Sequence, residues 1–84
     1  MELILTDKGK VALESGTLED DQSTWHMGRW LIGIEQGVIG SGDHSFSNWD
    51  EFKVWYGEFG YKLTGKLLQG GYITVTGDIP EEYL

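Results

Sequence analysis

The stretch SFSNWDEFKVWYGEFG, residues 45–60, carries six aromatic side chains in sixteen positions. They form either the core of a small domain or a surface that grips another molecule, and the choice sets the fold. Ser47 and Asn48 are both good N-caps, and Asn48 with Glu51 has capping-box spacing, with Asn in place of Ser or Thr. Asp50 and Glu51 fall in the first turn, where a helix dipole favours negative charge. Gly60 suits a left-handed residue closing the far end. At ~100° per residue, Trp49, Phe52, Trp55, Tyr56 and Phe59 share an arc of roughly 120°. Asp50, Glu51, Lys53, Val54 and Glu58 point elsewhere. The pattern predicts one amphipathic helix over about residues 48–59, with Gly57 its weak point. Such a helix must bury its stripe. Phe52, Trp55 and Phe59, in mid-arc, are therefore expected in the core, with Trp49 and Tyr56 half exposed at its edge. Phe46, before the cap, is either a staple-like contact or exposed.

Outward from this helix, thirteen glycines and one proline punctuate the chain into short segments. Leu3-Ile4-Leu5 and Val11-Ala12-Leu13 flank Asp7-Lys8-Gly9, which reads as a first hairpin. Residues 15–24 are polar and acidic, as in an exposed loop. Trp30, Ile32 and Ile34 alternate with Leu31, Gly33 and Glu35, the period of a strand, and Gln36-Gly37 turns the chain into Val38-Ile39. Beyond the helix, Tyr61, Leu63 and Leu67 suggest a strand, Gln69-Gly70-Gly71 a hairpin turn, and Tyr72–Thr76 a β-branched partner strand. Ile79–Leu84 is an acidic tail with an apolar end. The expectation is a single α+β domain, residues 1–84, in the order ββ-ββ-α-ββ. About five or six short strands would form an antiparallel sheet with the helix packed on one face.

Composition bounds the chemistry. Eleven aromatics supply the bulk that a chain of 84 residues needs to bury. With no cysteine, there is no disulfide framework, thiolate metal site or thiol nucleophile, and a cytoplasmic setting is the natural reading. The N-terminal residues lack the basic and apolar regions of a signal peptide, and no run approaches a membrane span. Fourteen acids against six bases give a net charge of −8, which repels nucleic acid and anionic lipid and attracts basic protein surfaces.

No motif points to catalysis or a cofactor. Asp43, His44 and Ser45 have the residue types of a triad, but consecutive residues cannot adopt its geometry. His26 and His44 lack metal-ligand spacing, and Asp20-Asp21 lacks the alternation of a calcium loop. Gly40-x-Gly42 is too short for a phosphate loop, and the helix it precedes opens on two acids. No enzyme, metal or cofactor is expected.

The residues left are those of binding surfaces. Glu19, Asp20 and Asp21 in one loop, with Asp43, Asp50 and Glu51 near the helix start, are expected to steer a partner. Trp25 and Met27, at a loop-to-strand junction with Trp30 and Arg29, are of the types enriched at binding hot spots. In size and charge, though in no motif, the chain resembles small acidic phage-accessory inhibitors, anti-CRISPR proteins among them. That resemblance implies an inhibitor or adaptor that occupies the basic, nucleic-acid-binding surface of a partner protein, acting as a nucleic-acid mimic in the host cytoplasm. The alternative is a phage structural or assembly module, or a homo-oligomer joined through a sheet edge.

Overall fold

The computed structural model describes residues 2–16, 22–40 and 46–83. In chain order the elements are β1 (Leu3–Leu5), α1 (Asp7–Ser15), α2 (Gln22–Glu35), α3 (Trp49–Gly70) and β2 (Ile73–Val75), followed by a 3-10 turn at Glu81–Tyr83. The described residues thus form three helices and a two-stranded antiparallel ribbon, and the expected sheet of five or six strands in the order ββ-ββ-α-ββ is overturned.

The first hairpin is replaced by a helix. Thr6, in extended backbone, accepts a hydrogen bond from the Gly9 N–H at 3.1 Å and so caps α1. Its hydroxyl also donates to the Gly71 carbonyl at 2.6 Å, which ties the helix start to the chain entering β2. Gly9 and Ala12 are buried three positions apart, a helical spacing, and Gly16 in the left-handed region (φ 68°) ends the helix.

The strand expected at Trp30–Ile34 lies within α2. Among its described side chains the buried positions are Gly28, Leu31 and Ile34, with Met27 and Trp30 packed partly against the core, so the period is 3.6 and not 2. Leu31, assigned by alternation to the outer face, is fully buried. The turn at Gln36-Gly37 exists but ends a helix. Gly37 (φ 75°) donates to the Ile34 carbonyl at 3.1 Å, and Val38 donates to that of Gly33 at 2.9 Å.

The central helix starts where its signals place it. Asn48 Oδ1 accepts from the Glu51 N–H at 2.9 Å, and Glu51 Oε2 accepts from the Ser47 N–H at 3.3 Å. It continues past residue 59 to Gly70, taking in the expected strand 61–68, and it breaks at Gly57, whose φ of 77° and ψ of 175° are not helical. Gly60 is not the left-handed cap; it is a buried helical residue on one face with Leu63, Thr64 and Leu67. Gly71 (φ 79°) is the C-cap, donating back to Leu67 and Leu68, so Gln69-Gly70-Gly71 ends a helix instead of turning a hairpin.

β2 falls where β-branched residues mark it, but it pairs with β1 and not with its predecessor. The register is Leu3↔Val75, Ile4↔Thr74 and Leu5↔Ile73. The core joins Leu3 and Ile73 of the ribbon to Leu31, Ile34 and Ile39, and to Phe46, Phe52 and Leu67.

The aromatic stripe is divided. Phe52 is fully buried and packs on Phe46, Trp49 and Tyr56 at centroid distances of 4.7, 5.3 and 4.6 Å. Phe46, before the cap, is itself buried. Trp55 and Phe59, expected in the core, are 63% and 61% exposed. The buried face centres on Trp49, Phe52 and Tyr56, which puts Trp55 a quarter-turn or more off it. The break at Gly57 then resets the rotational phase, so that Phe59 no longer continues the count.

Truncation of Phe52 removes a ring with no solvent exposure, so Phe52→Ala is expected to cost about 3–5 kcal/mol. Trp55→Ala is expected to cost less than about 1 kcal/mol. Urea denaturation of the two variants measures the difference; equal losses would return Trp55 to the core.

Candidate functional site

The apolar side chains left in solvent point to a surface. Val54 is 83% exposed and, with Trp55 and Phe59, straddles the break at Gly57. The break exists because only glycine adopts φ 77° freely, and a Cβ placed there would meet no atom within 4 Å, so the backbone and not packing demands it. Phe59 is held from one side by the half-buried His26 of α2, edge-on at a centroid distance of 5.5 Å. The indole N–H of Trp55 meets no acceptor among the described residues. Exposed Lys53 and Glu58 flank the patch, and Glu58 pairs with Lys62 at 3.8 Å. Large rings in water are costly to leave uncovered, and Trp is the side chain most enriched at binding hot spots.

Beneath the patch, α2 and α3 are locked together. Trp30 Nε1–H donates to Thr64 Oγ at 2.7 Å, and the Thr64 hydroxyl donates to the Gly60 carbonyl at 2.8 Å, so this fully buried hydroxyl both accepts and donates. The Trp30 ring lies on Gly60, where a Cβ would come within 2.7 Å of it, and meets Tyr56 edge-on at 5.7 Å.

Further along α3 the tail is strapped down. Trp49 Nε1–H donates to the Asp78 carbonyl at 2.6 Å, Tyr61 donates its hydroxyl proton to the Glu82 carboxylate, and Gln69 donates to the Glu82 carbonyl at 3.4 Å. The Tyr83 ring lies over Gly65, filling the space a side chain there would take, and packs on Tyr61 at 5.3 Å. Burial first, then the bond to Glu82 and its charge, pushes the Tyr61 phenol well above its ordinary range. Tyr83 is raised too, by burial and then by Glu82 and Glu58. Asp50 also acts on Tyr61, so Asp50, Glu58 and Glu82 lie near the strap, offset by Lys53 over the Tyr61 ring at 5.1 Å and by Lys62 paired with Glu58.

The residues singled out from sequence are placed unevenly. Asp50 is exposed, and Glu51 is half-buried and engaged in capping. Met27 packs partly against the core. Trp25 belongs to α2, with its side chain outside the described part, and Glu19, Asp20, Asp21 and Asp43 lie outside the described residues. Of the acids expected to steer a partner, Asp50 and Glu51 lie among the described residues. The exposure of Phe59 follows from the break at Gly57, which a helical count does not contain, and that of Trp55 from a buried face centred on Trp49, Phe52 and Tyr56. A glycine between two aromatics in mid-helix was the signal available. Among the described residues no three His, Asp or Glu converge as a metal site would require, and no helix is long and apolar enough to cross a membrane. Compared with known protein families, curated proteins and solved structures, the chain finds no match.

The strap gives a pH signature. Tyr61 and Tyr83 titrate higher folded than unfolded, so the stability they contribute is complete below about pH 10 and is lost as pH rises through their folded values. The phenolate absorbance that Tyr61→Phe removes is expected to develop only above about pH 10, with the melting temperature falling over the same range. A midpoint at or below that value would mean that the tail does not cover Tyr61.

Proposed function

We propose that the chain is a small protein-binding domain, an inhibitor or adaptor that meets a basic, nucleic-acid-binding surface of a partner protein. The observation that carries this reading is the exposure of Trp55 and Phe59, 63% and 61%, on a chain whose other rings are buried or half-buried where described. A net charge of −8 selects the kind of partner. It attracts a basic surface over a distance of about a Debye length, ~10 Å at 0.1 M salt, and accelerates encounter. The aromatic patch then supplies the short-range hold. Asp50 and Glu82, both exposed, carry the same sign as the net charge. Self-association through the patch is the second reading, and the same exposed rings favour it. The charge opposes it, because two copies repel.

The two contributions separate kinetically. Trp55→Ala with Phe59→Ala is expected to speed dissociation from the captured partner at least ~10-fold with little change in association. Neutralising Glu19, Asp20 and Asp21, or raising salt toward 1 M, is expected to slow association. Association insensitive to both would remove the mimicry reading, and dissociation unchanged in the double variant would remove the patch. Concentration-dependent dimerisation in sedimentation, lost in that variant, would favour self-association.

A further inference from the structure

On the side of the molecule formed by β1, α1 and α2, an open cavity of about 420 Å³ is lined by Leu5, Lys10, Leu13, Glu14, Ile32 and Glu35. Its apolar part comes from three half-buried aliphatic side chains, one from each element, and its charged part from three exposed side chains. That volume lies in the range of small-molecule sites. The charges are placed in an unusual way. Glu14 stands in the last turn of α1 and Glu35 is the last residue of α2, and neither helix has a basic residue in its last turn. A helix C-terminus carries partial negative charge, so an acid there is unfavourable and a cation is wanted. Lys10 precedes Glu14 by one turn, the weaker orientation for a helical pair, and no ion pair joins them among the described residues. Two carboxylates and two helix C-termini therefore border an apolar floor against a single ammonium.

We propose that this cavity binds a small cationic amphiphile, an apolar body the size of a phenyl or short alkyl group carrying a primary ammonium. The body covers Leu5, Leu13 and Ile32, and the ammonium lies between Glu14 and Glu35, at two helix ends that have no basic residue in their last turns. Lys10 competes for the same carboxylates. The reading is independent of the aromatic patch, since none of these residues belongs to it.

Titration of the full chain with 2-phenylethylamine and with 3-phenylpropionate, followed by amide chemical shifts, is the test. The amine is expected to bind at least ~10-fold more tightly than the acid, with shifts confined to β1, α1 and α2. Glu14→Gln and Glu35→Gln are each expected to weaken it about three-fold, and Lys10→Met to strengthen it about two- to three-fold. All three side chains are exposed, so melting temperatures should stay near that of the parent. Equal affinity for amine and acid, no saturable binding, shifts centred elsewhere, or weakening by Lys10→Met would each overturn the proposal. None of these outcomes bears on binding through Trp55 and Phe59.

Discussion

The hydrogen bond from Trp30 to Thr64 fixes how the two longest helices meet, and much else follows from that junction. A buried hydroxyl must find partners or cost of the order of 1–3 kcal/mol, and Thr64 finds two, the Trp30 indole and the Gly60 carbonyl. The indole can reach it only because Gly60 has no side chain in its path. With Trp30 seated, its outer edge receives Tyr56, and Tyr56 in turn packs on Phe52 and accepts a 3.4 Å hydrogen bond from the Gly40 N–H. Gly40 then accepts from the Leu3 N–H at 3.1 Å, which brings the ribbon into the same assembly. One satisfied polar contact thus connects α2 and α3 to β1 through the rings of Trp30 and Tyr56 and the Gly40 backbone.

The aromatic residues consequently serve two ends. Those before Gly57 that face α2 and the chain entering α3 fill the core. Trp55, off the buried face, and Phe59, past the break, remain in water, flanked by Lys53 and by Glu58, which Lys62 pairs. A chain this small has few large apolar side chains to spare, and leaving two rings uncovered forgoes burial worth roughly 1.5–3 kcal/mol each. That cost is the physical reason for assigning the patch a partner.

What the sequence made legible was local. The Asn48 cap and its Glu51 partner, the β-branched run of β2 and the apolar start of β1 all depend on neighbours a few positions away. What it hid was the use of glycine. Gly60 and Gly70 read as stops, yet they belong to α3 as seats for the rings of Trp30 and Tyr72, as Gly65 does for Tyr83, and Gly9 lies within α1 against the Tyr72 backbone. Each costs about 1 kcal/mol of helix propensity relative to Ala, which a close approach by a ring or a chain can offset. The residues that make those approaches are distant in sequence, so a reading along the chain counts glycines as turns and helices as strands. For the site, the acids and their sign were visible from composition. The exposure of Trp55 and Phe59 was not, because the first depends on where the buried face centres and the second on one backbone angle at Gly57.

The ribbon imposes an order of events on folding. Glu2 bonds to Thr76 across 74 positions, whereas the helices close over three or four. Closing so long a loop carries an entropy penalty that only prior collapse of the intervening chain reduces. Helices α1, α2 and α3 can therefore form and dock while β1 waits without its partner strand until Val75 has been synthesised and has folded back. A polypeptide arrested before that point would carry a complete set of helices and an open strand edge, the form most prone to pair with a neighbour. Fusions or tags that hold residue 2 away from residue 76 would prolong the same exposed state.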